Sequence, residues 1–256
     1  MRKRLMNAGL AMALAGLPGV ASADLRFVVH VEAKKVPAVQ AADANAQRMA
    51  DAFVHAVLPQ GAADTTYWVS DKQTRAELQK QTGNMPAGTV LLRRSDGSVL
   101  MLAPPQKLYV VLHGPQPMPP PAPPSSSIPI THTGEYATIA GVRAERLTAK
   151  IIPPARAGAP PATPVNVELW VSNQYPKYAA LASQNDAILT LLGVSAFMQQ
   201  GLVLRTVITG YGFADYQLES VVTELKEEPA PAGTFDVPAG FTEAQPKPAA
   251  PQPNGK

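Results

Sequence analysis

The residues best suited to proton transfer or metal binding in this chain are four histidines, His30, His55, His113 and His132. They are scattered, and no two stand two or four residues apart, the spacings that put two imidazoles on one side of a strand or helix. His30 and Glu32 share a strand face, but two potential ligands on a solvated face read as surface. The chain has no cysteine, which excludes disulfides, thiolate metal sites and thiol catalysis. The carboxylate pairs Glu227-Glu228 and Asp71/Glu77 sit among ordinary surface charges. Gly210-Tyr211-Gly212 lacks the third glycine and the following helix of a dinucleotide loop, and reads as a hairpin turn. Gly193-Val194-Ser195-Ala196-Phe197 falls short of a nucleophile elbow, because Phe197 stands where a glycine is needed and the segment reads as helix. No nucleophile, base and orienting group can be assembled. The expectation is no catalytic residue, no metal and no cofactor.

Charge excludes further classes. The 22 Lys and Arg exceed the 19 Asp and Glu by three, and Arg2, Lys3 and Arg4 carry that whole excess. From residue 24 onward the chain is balanced, so no long-range field draws in nucleic acid or an anionic membrane. Arg143, Arg146, Lys150 and Arg156 form a modest basic strip, but Glu145 interrupts it and a solvated strand face is expected.

Residues 1–23 have the order of a secretory signal: the basic start, an apolar stretch from Ala8 to Leu17, then Pro18 and Gly19. Ala21-Ser22-Ala23 supplies the small-x-small pattern of a cleavage site, so Asp24 is expected to begin the mature chain. The apolar stretch is half the roughly 20 residues a membrane-spanning helix needs. The expected location is a bacterial periplasm, without stable membrane insertion.

The elements that would position any site are mostly strands. Leu25, Phe27, Val29 and Val31 alternate with Arg26, His30 and Glu32, the pattern of a half-buried strand. Similar runs occur at Thr65–Ser70, Thr89–Arg94, Ser98–Leu102, Lys107–Leu112, Val165–Ser172, Val203–Thr209 and Tyr216–Leu225. Ser95-Asp96-Gly97 supplies a tight turn between two of them. Two segments carry helical spacing instead. Asp43–Val57 aligns Ala46, Met49, Ala50, Phe53 and Val57. Ser183–Gln199 aligns Ile188, Leu189, Leu192 and Ala196 behind a Ser183/Asp186 capping box. Pro115–Pro129, with eight prolines, reads as an extended insertion, Ile151–Pro164 as a loop, and Pro246–Lys256 as a disordered tail. The predicted fold is mainly β (α+β), a curved antiparallel sheet or open half-barrel with one or two covering helices. It is expected to form one domain over residues 24–241, followed by a tail over 242–256.

Five stretches, in order along the chain, carry a resemblance: "TTYWVSDKQTRAEL" (Thr65–Leu78), "LLRRSDGSVLMLAPPQKLYVVL" (Leu91–Leu112), "TGEYATIAGVRAERLTAKI" (Thr133–Ile151), "VELWVSNQ" (Val167–Gln174) and "GTFDVPAGF" (Gly233–Phe241). They look like the strand–turn–return strand, the two hairpins, the Trp strand before a cross-over helix and the closing strand end of a bacterial family. That family comprises exported β-rich proteins classed as a domain of unknown function. It is akin in architecture to the LolA/LolB lipoprotein-carrier half-barrels. The resemblance implies a sheet whose covered face either closes as a core or holds a ligand, and it supplies no catalytic residue.

The expected ligand site is an apolar cavity between the sheet and the Ser183–Gln199 helix, lined partly by Trp68, Tyr109, Ile188 and Leu192. The expected partner is a hydrophobic small molecule or a lipoprotein acyl chain. A packed-shut interaction module of the envelope and an unrecognised hydrolase stand as the other readings.

Overall fold

The computed structural model describes residues 23–36, 44–115, 128–151, 164–183, 200–210 and 215–244. Within them the chain forms twelve strands in one sheet, with two α-helices. In chain order these are β1 (Asp24–Lys35), α1 (Ala44–Val57), β2 (Ala62–Val69), β3 (Thr74–Leu78), β4 (Val90–Arg93), β5 (Val99–Ala103) and β6 (Leu108–His113). Then follow β7 (Ile130–Ile139), β8 (Val142–Ile151), β9 (Val165–Ser172), α2 (Pro176–Ser183), β10 (Leu202–Gly210), β11 (Tyr216–Glu228) and β12 (Thr242–Glu243). The sheet is open and curved, ordered β12-β6-β5-β4-β3-β2-β1-β11-β10-β9-β8-β7. Every pairing is antiparallel except β12 with β6. All eight alternating runs read from the sequence fall on strands, and the first helical stripe is α1.

Local chemistry explains the turns. In the β2–β3 turn the Ser70 hydroxyl accepts the N–H groups of Lys72 and Gln73. Between β4 and β5, Asp96 accepts from the Ser98 backbone N–H and hydroxyl, while Gly97 takes φ 80°. The β7–β8 turn is Ala140-Gly141, both at positive φ (48° and 81°), as a two-residue primed turn requires. Gly210 ends β10 at φ 91°, and a Cβ there would stand 2.3 Å from the Pro164 carbonyl oxygen. Only glycine fits that approach.

The strands bury one face under both helices. On it lie Leu25 and Phe27 of β1, Tyr67 and Val69 of β2, Ala76 of β3, Leu218 and Val222 of β11, Ile208 of β10 and Leu169 of β9. Their cross-strand register keeps them in line. Val54 and Leu58, four residues apart at and just past the end of α1, bury against one end of this face, and Ala50 one turn earlier is also buried. Met49 faces solvent, 65% exposed, instead of joining that stripe. Tyr178, Ala179, Leu181 and Ala182 of α2 bury against the other end.

At β4 and β5 the core changes sides. Val90, Leu92, Leu100 and Leu102 are buried, yet the register places Leu92 beside Arg75, on the face away from the helices. Their cover is the chain after β11, whose Phe235, Val237 and Phe241 pack on them. That segment is a run of turns, and the strand it leads to is Thr242–Glu243, paired to Leu108 and Tyr109. The predicted helix over Ser183–Gln199 lies outside the described residues beyond Ser183, the last residue of α2.

Candidate functional site

The helix-covered face is mostly apolar because most alternate residues of its strands are apolar, and it forms two separate clusters, one under each helix. Central strand β1 runs between them. Its outer end, Leu25 and Phe27, is buried under the α2 cluster, and Phe27 stacks on Tyr67 at 4.9 Å between ring centroids. Further along, Val29, Val31 and Ala33 keep the same face but are only half-buried. Val29 borders the α2 cluster, and Val31 and Ala33 border the α1 cluster. A half-buried apolar strip, the trough, thus runs between the two clusters. Phe53 and Val57 of α1, also half-buried, stand on its α1 side. Three buried hydroxyl residues line up across this part of the face. Thr65 pairs with Val29, Ser220 with Val31, and Thr206 with Ser220. An apolar floor with a few hydroxyls is the composition of a site for a mostly hydrophobic molecule with a polar end.

A polar clasp holds α1 over this trough. Asp51 accepts the Tyr216 hydroxyl at 2.7 Å and the Gln47 amide at 3.2 Å, and Gln47 also donates to Asp215 at 2.6 Å. Lys35 lies 3.7 Å from Asp51 and over the Tyr216 ring. The Tyr216 hydrogen bond, helped by Gln47 and Lys35, holds the Asp51 carboxyl below its ordinary range, and Asp51 in turn raises the Tyr216 phenol.

The opposite face is charged, and its charges are paired. His30 faces Asp64 at 2.6 Å, and Lys80 takes the other oxygen of Asp64 at 2.6 Å. Lys80 and His30 together hold Asp64 low. Lys34 bridges Glu32 at 2.6 Å and Glu219 at 2.9 Å, while Arg205 meets Glu219 at 2.7 Å. Burial alone would raise Glu219, but Lys34 and Arg205 outweigh it and its carboxyl is lowered. Arg146 spans Glu135 and Glu168, and Trp170 donates to Glu168 at 2.8 Å. A groove of about 570 Å³ on this face is lined by Thr131, Arg146, Thr148, Lys150, Asn166 and Gln217, among others. Its lining mixes these polar side chains with Pro129, Ala149, Val167 and Val207.

Of the four expected site residues, Trp68 and Tyr109 fall within the described residues. Trp68 pairs with Arg26 and Arg75 and so stands, half-buried, on the face away from the helices. Tyr109 shares that face, packs on the Val90–Leu102 cluster and donates to Glu243 at 3.4 Å. Ile188 and Leu192 lie outside the described residues. His30 and Glu32, the pair nearest to a metal site, are tied up by Asp64 and Lys34. Among the described residues no group of three His, Asp or Glu side chains could hold a metal. Of the basic strip, Arg143 stacks on Tyr136 at 3.9 Å and Arg146 is paired, as a solvated strand face should be. Arg156 lies outside the described residues, as does the near-elbow at 193–197. Val29 and Val31 carried a signal in the sequence, the alternation of β1. That pattern gives the face but not how far a helix covers it.

One family model matches the chain, over residues 53–241: "Domain of unknown function (DUF4412)". The chain belongs to this family. The DUF4412 match takes in the trough-side residues of α1 and every strand from β2 to β11, and β1 precedes it. A solved structure similar to the chain is a LolA superfamily protein from Nitrosomonas europaea, 9% identical, covering 84% of this chain and 90% of that one, with a TM-score of 0.31. No curated protein matches. Among the described residues, no helix is long and apolar enough to cross a membrane.

Proposed function

We propose that this DUF4412 protein is an exported, non-enzymatic carrier or sensor that holds a hydrophobic ligand, such as a lipid or a lipoprotein acyl chain, in the trough between α1 and α2. One observation carries the reading. In the central strand of the sheet, Val29, Val31 and Ala33 face the helix side yet are only half-buried, where a filled core would cover them completely. Leaving valines half-exposed in the middle of a sheet forgoes burial worth ~25 cal/mol per Å², and an acyl chain laid on them recovers it. Thr65 and Ser220, which pair with Val29 and Val31, place hydroxyls beside the ligand's polar end.

The test is a fluorescent fatty-acid probe added to the wild type and to Val31→Trp. The indole fills an open trough, so the variant should lose probe binding and keep its thermal stability. If the wild type binds no probe and Val31→Trp costs ~1–3 kcal/mol, as overpacking a closed core does, the carrier reading falls and an interaction module with a packed interior takes its place.

A further inference from the structure

We propose that the amino terminus released by cleavage after Ala23 docks on the Tyr178 hydroxyl and the Glu227 carboxylate. The inference rests on the export reading above, and goes beyond it by assigning a receiving site on the folded protein. Tyr178 of α2 is 2% exposed. Its hydroxyl donates to the carbonyl oxygen of Ala23 and lies 3.4 Å from Glu227 Oε1. That carbonyl belongs to the peptide bond that the Ala21-Ser22-Ala23 pattern marks for cleavage. Asp24 is fixed on the other side of the bond. Its carboxylate accepts the Ala230 N–H at 3.0 Å, and β1 pairs Asp24 with Glu228 and Leu25 with Glu227.

Cleavage by a signal peptidase adds one water across the amide. The C–N bond breaks, Ala23 leaves with the water oxygen as a carboxylate, and the Asp24 nitrogen takes up protons to become an ammonium. The amide nitrogen sits about 2.2 Å from its own carbonyl oxygen, given the standard bond lengths. The new ammonium therefore appears within a short shift of the Tyr178 oxygen. Tyr178 then changes role: it accepts from the ammonium and turns its own proton toward Glu227. Charge supports the exchange. The groups facing this point are Lys177, whose ammonium lies 4.9 Å from the Tyr178 ring centroid, and the carboxylates of Asp24 and Glu227, with Glu228 next along the strand. Before cleavage, Asp24, Glu227 and Glu228 outnumber Lys177 by two, and the ammonium offsets one of that excess. The device acts on β1, which sits between β2 and β11 and carries the trough floor.

Two measurements test this. N-terminal sequencing of protein exported from a bacterium should begin at Asp24; any other start overturns cleavage after Ala23, and with it the export reading at this junction. Separately, a protein released at Asp24 by a sequence-specific protease from a fusion is titrated by NMR at the Asp24 amine. Its amine should titrate above the ordinary value of about 7.7–8.0, and Glu227→Gln should bring it down by roughly half a unit or more. A raised folded pKa stabilises below the unfolded value and is lost as pH rises through the folded one. Thermal stability of this protein should therefore fall above about pH 8, and more steeply than that of Glu227→Gln or Tyr178→Phe. An amine that titrates at its ordinary value, unchanged in both variants, overturns the docking site whatever the sequencing shows.

Discussion

At the scale of single residues, charges on the face away from the helices are neutralised in place, which is why they announce no chemistry. Glu219 is the clearest case. Its side chain is 9% exposed, held between Lys34 and Arg205, with Glu32 on the far side of Lys34. Its carboxyl is lowered in the folded state, so it contributes stability that is present above the unfolded glutamate pKa. That stability is lost as pH falls from about 4.3 through the lower folded value. Glu219→Gln should lower stability at neutral pH and flatten the acid limb of a pH–stability curve measured by urea unfolding. An unchanged acid limb would remove Glu219 from the account. His30, which the sequence places as a lone histidine on a strand face, meets Asp64 across the β1–β2 ladder. Its partner lies 34 residues away, so the pair could be found only once the register was known.

At the scale of elements, alternation made eight strands legible, and the exceptions have physical causes. β8 is buried at Val142 and Ala144, then at Leu147 and Ala149, so its pattern slips by one residue. The pairing of β7 with β8 is also interrupted there, with two extra residues on β7 between His132 and Tyr136, and a slipped alternation hides a strand from a period-2 reading. β7 is an edge strand, mostly half-buried or exposed, with little apolar contrast to read. α2 is short and begins with Pro176, a residue suited to a first helical position. Its buried Tyr178, Ala179, Leu181 and Ala182 are at helical spacing, and that spacing together with the proline was the available signal. The β7–β8 turn yields a prediction at this scale. Ala140 occupies φ 48°, where a Cβ is costly, so Ala140→Gly should stabilise the protein by ~0.5–1 kcal/mol, read as a rise in the urea midpoint at constant m-value. A loss of stability would mean that the turn relaxes without strain.

At the scale of the whole molecule, one sheet serves two cores, and only one of them was readable in advance. The helix-covered face follows from alternation plus the apolar stripe of α1, which needs a sheet beneath it; the second stripe read from the sequence, over Ser183–Gln199, lies outside the described residues beyond Ser183. The change of side at β4 and β5 depends on Phe235, Val237 and Phe241 crossing back from the end of β11. No local pattern in β4 reveals it, because Val90, Leu91 and Leu92 are apolar in succession. That change of side also explains why Trp68 and Tyr109 share a face, but not the one bearing the trough. Phe235→Ala strips cover from the second core and should cost ~1–2 kcal/mol, below the ~3–5 of a fully buried phenylalanine. It should leave probe binding in the trough intact; loss of binding would show that the two faces are coupled.

The central claim is that the trough over Val29, Val31 and Ala33 holds a hydrophobic ligand. Mass spectrometry of an organic extract tests it most directly, on protein purified from a periplasm without detergent. The account predicts a lipid or acyl species in near-stoichiometric amount from the wild type, and its absence from Val31→Trp purified in parallel. An extract free of such species in the wild type, or equal amounts in both proteins, would contradict it.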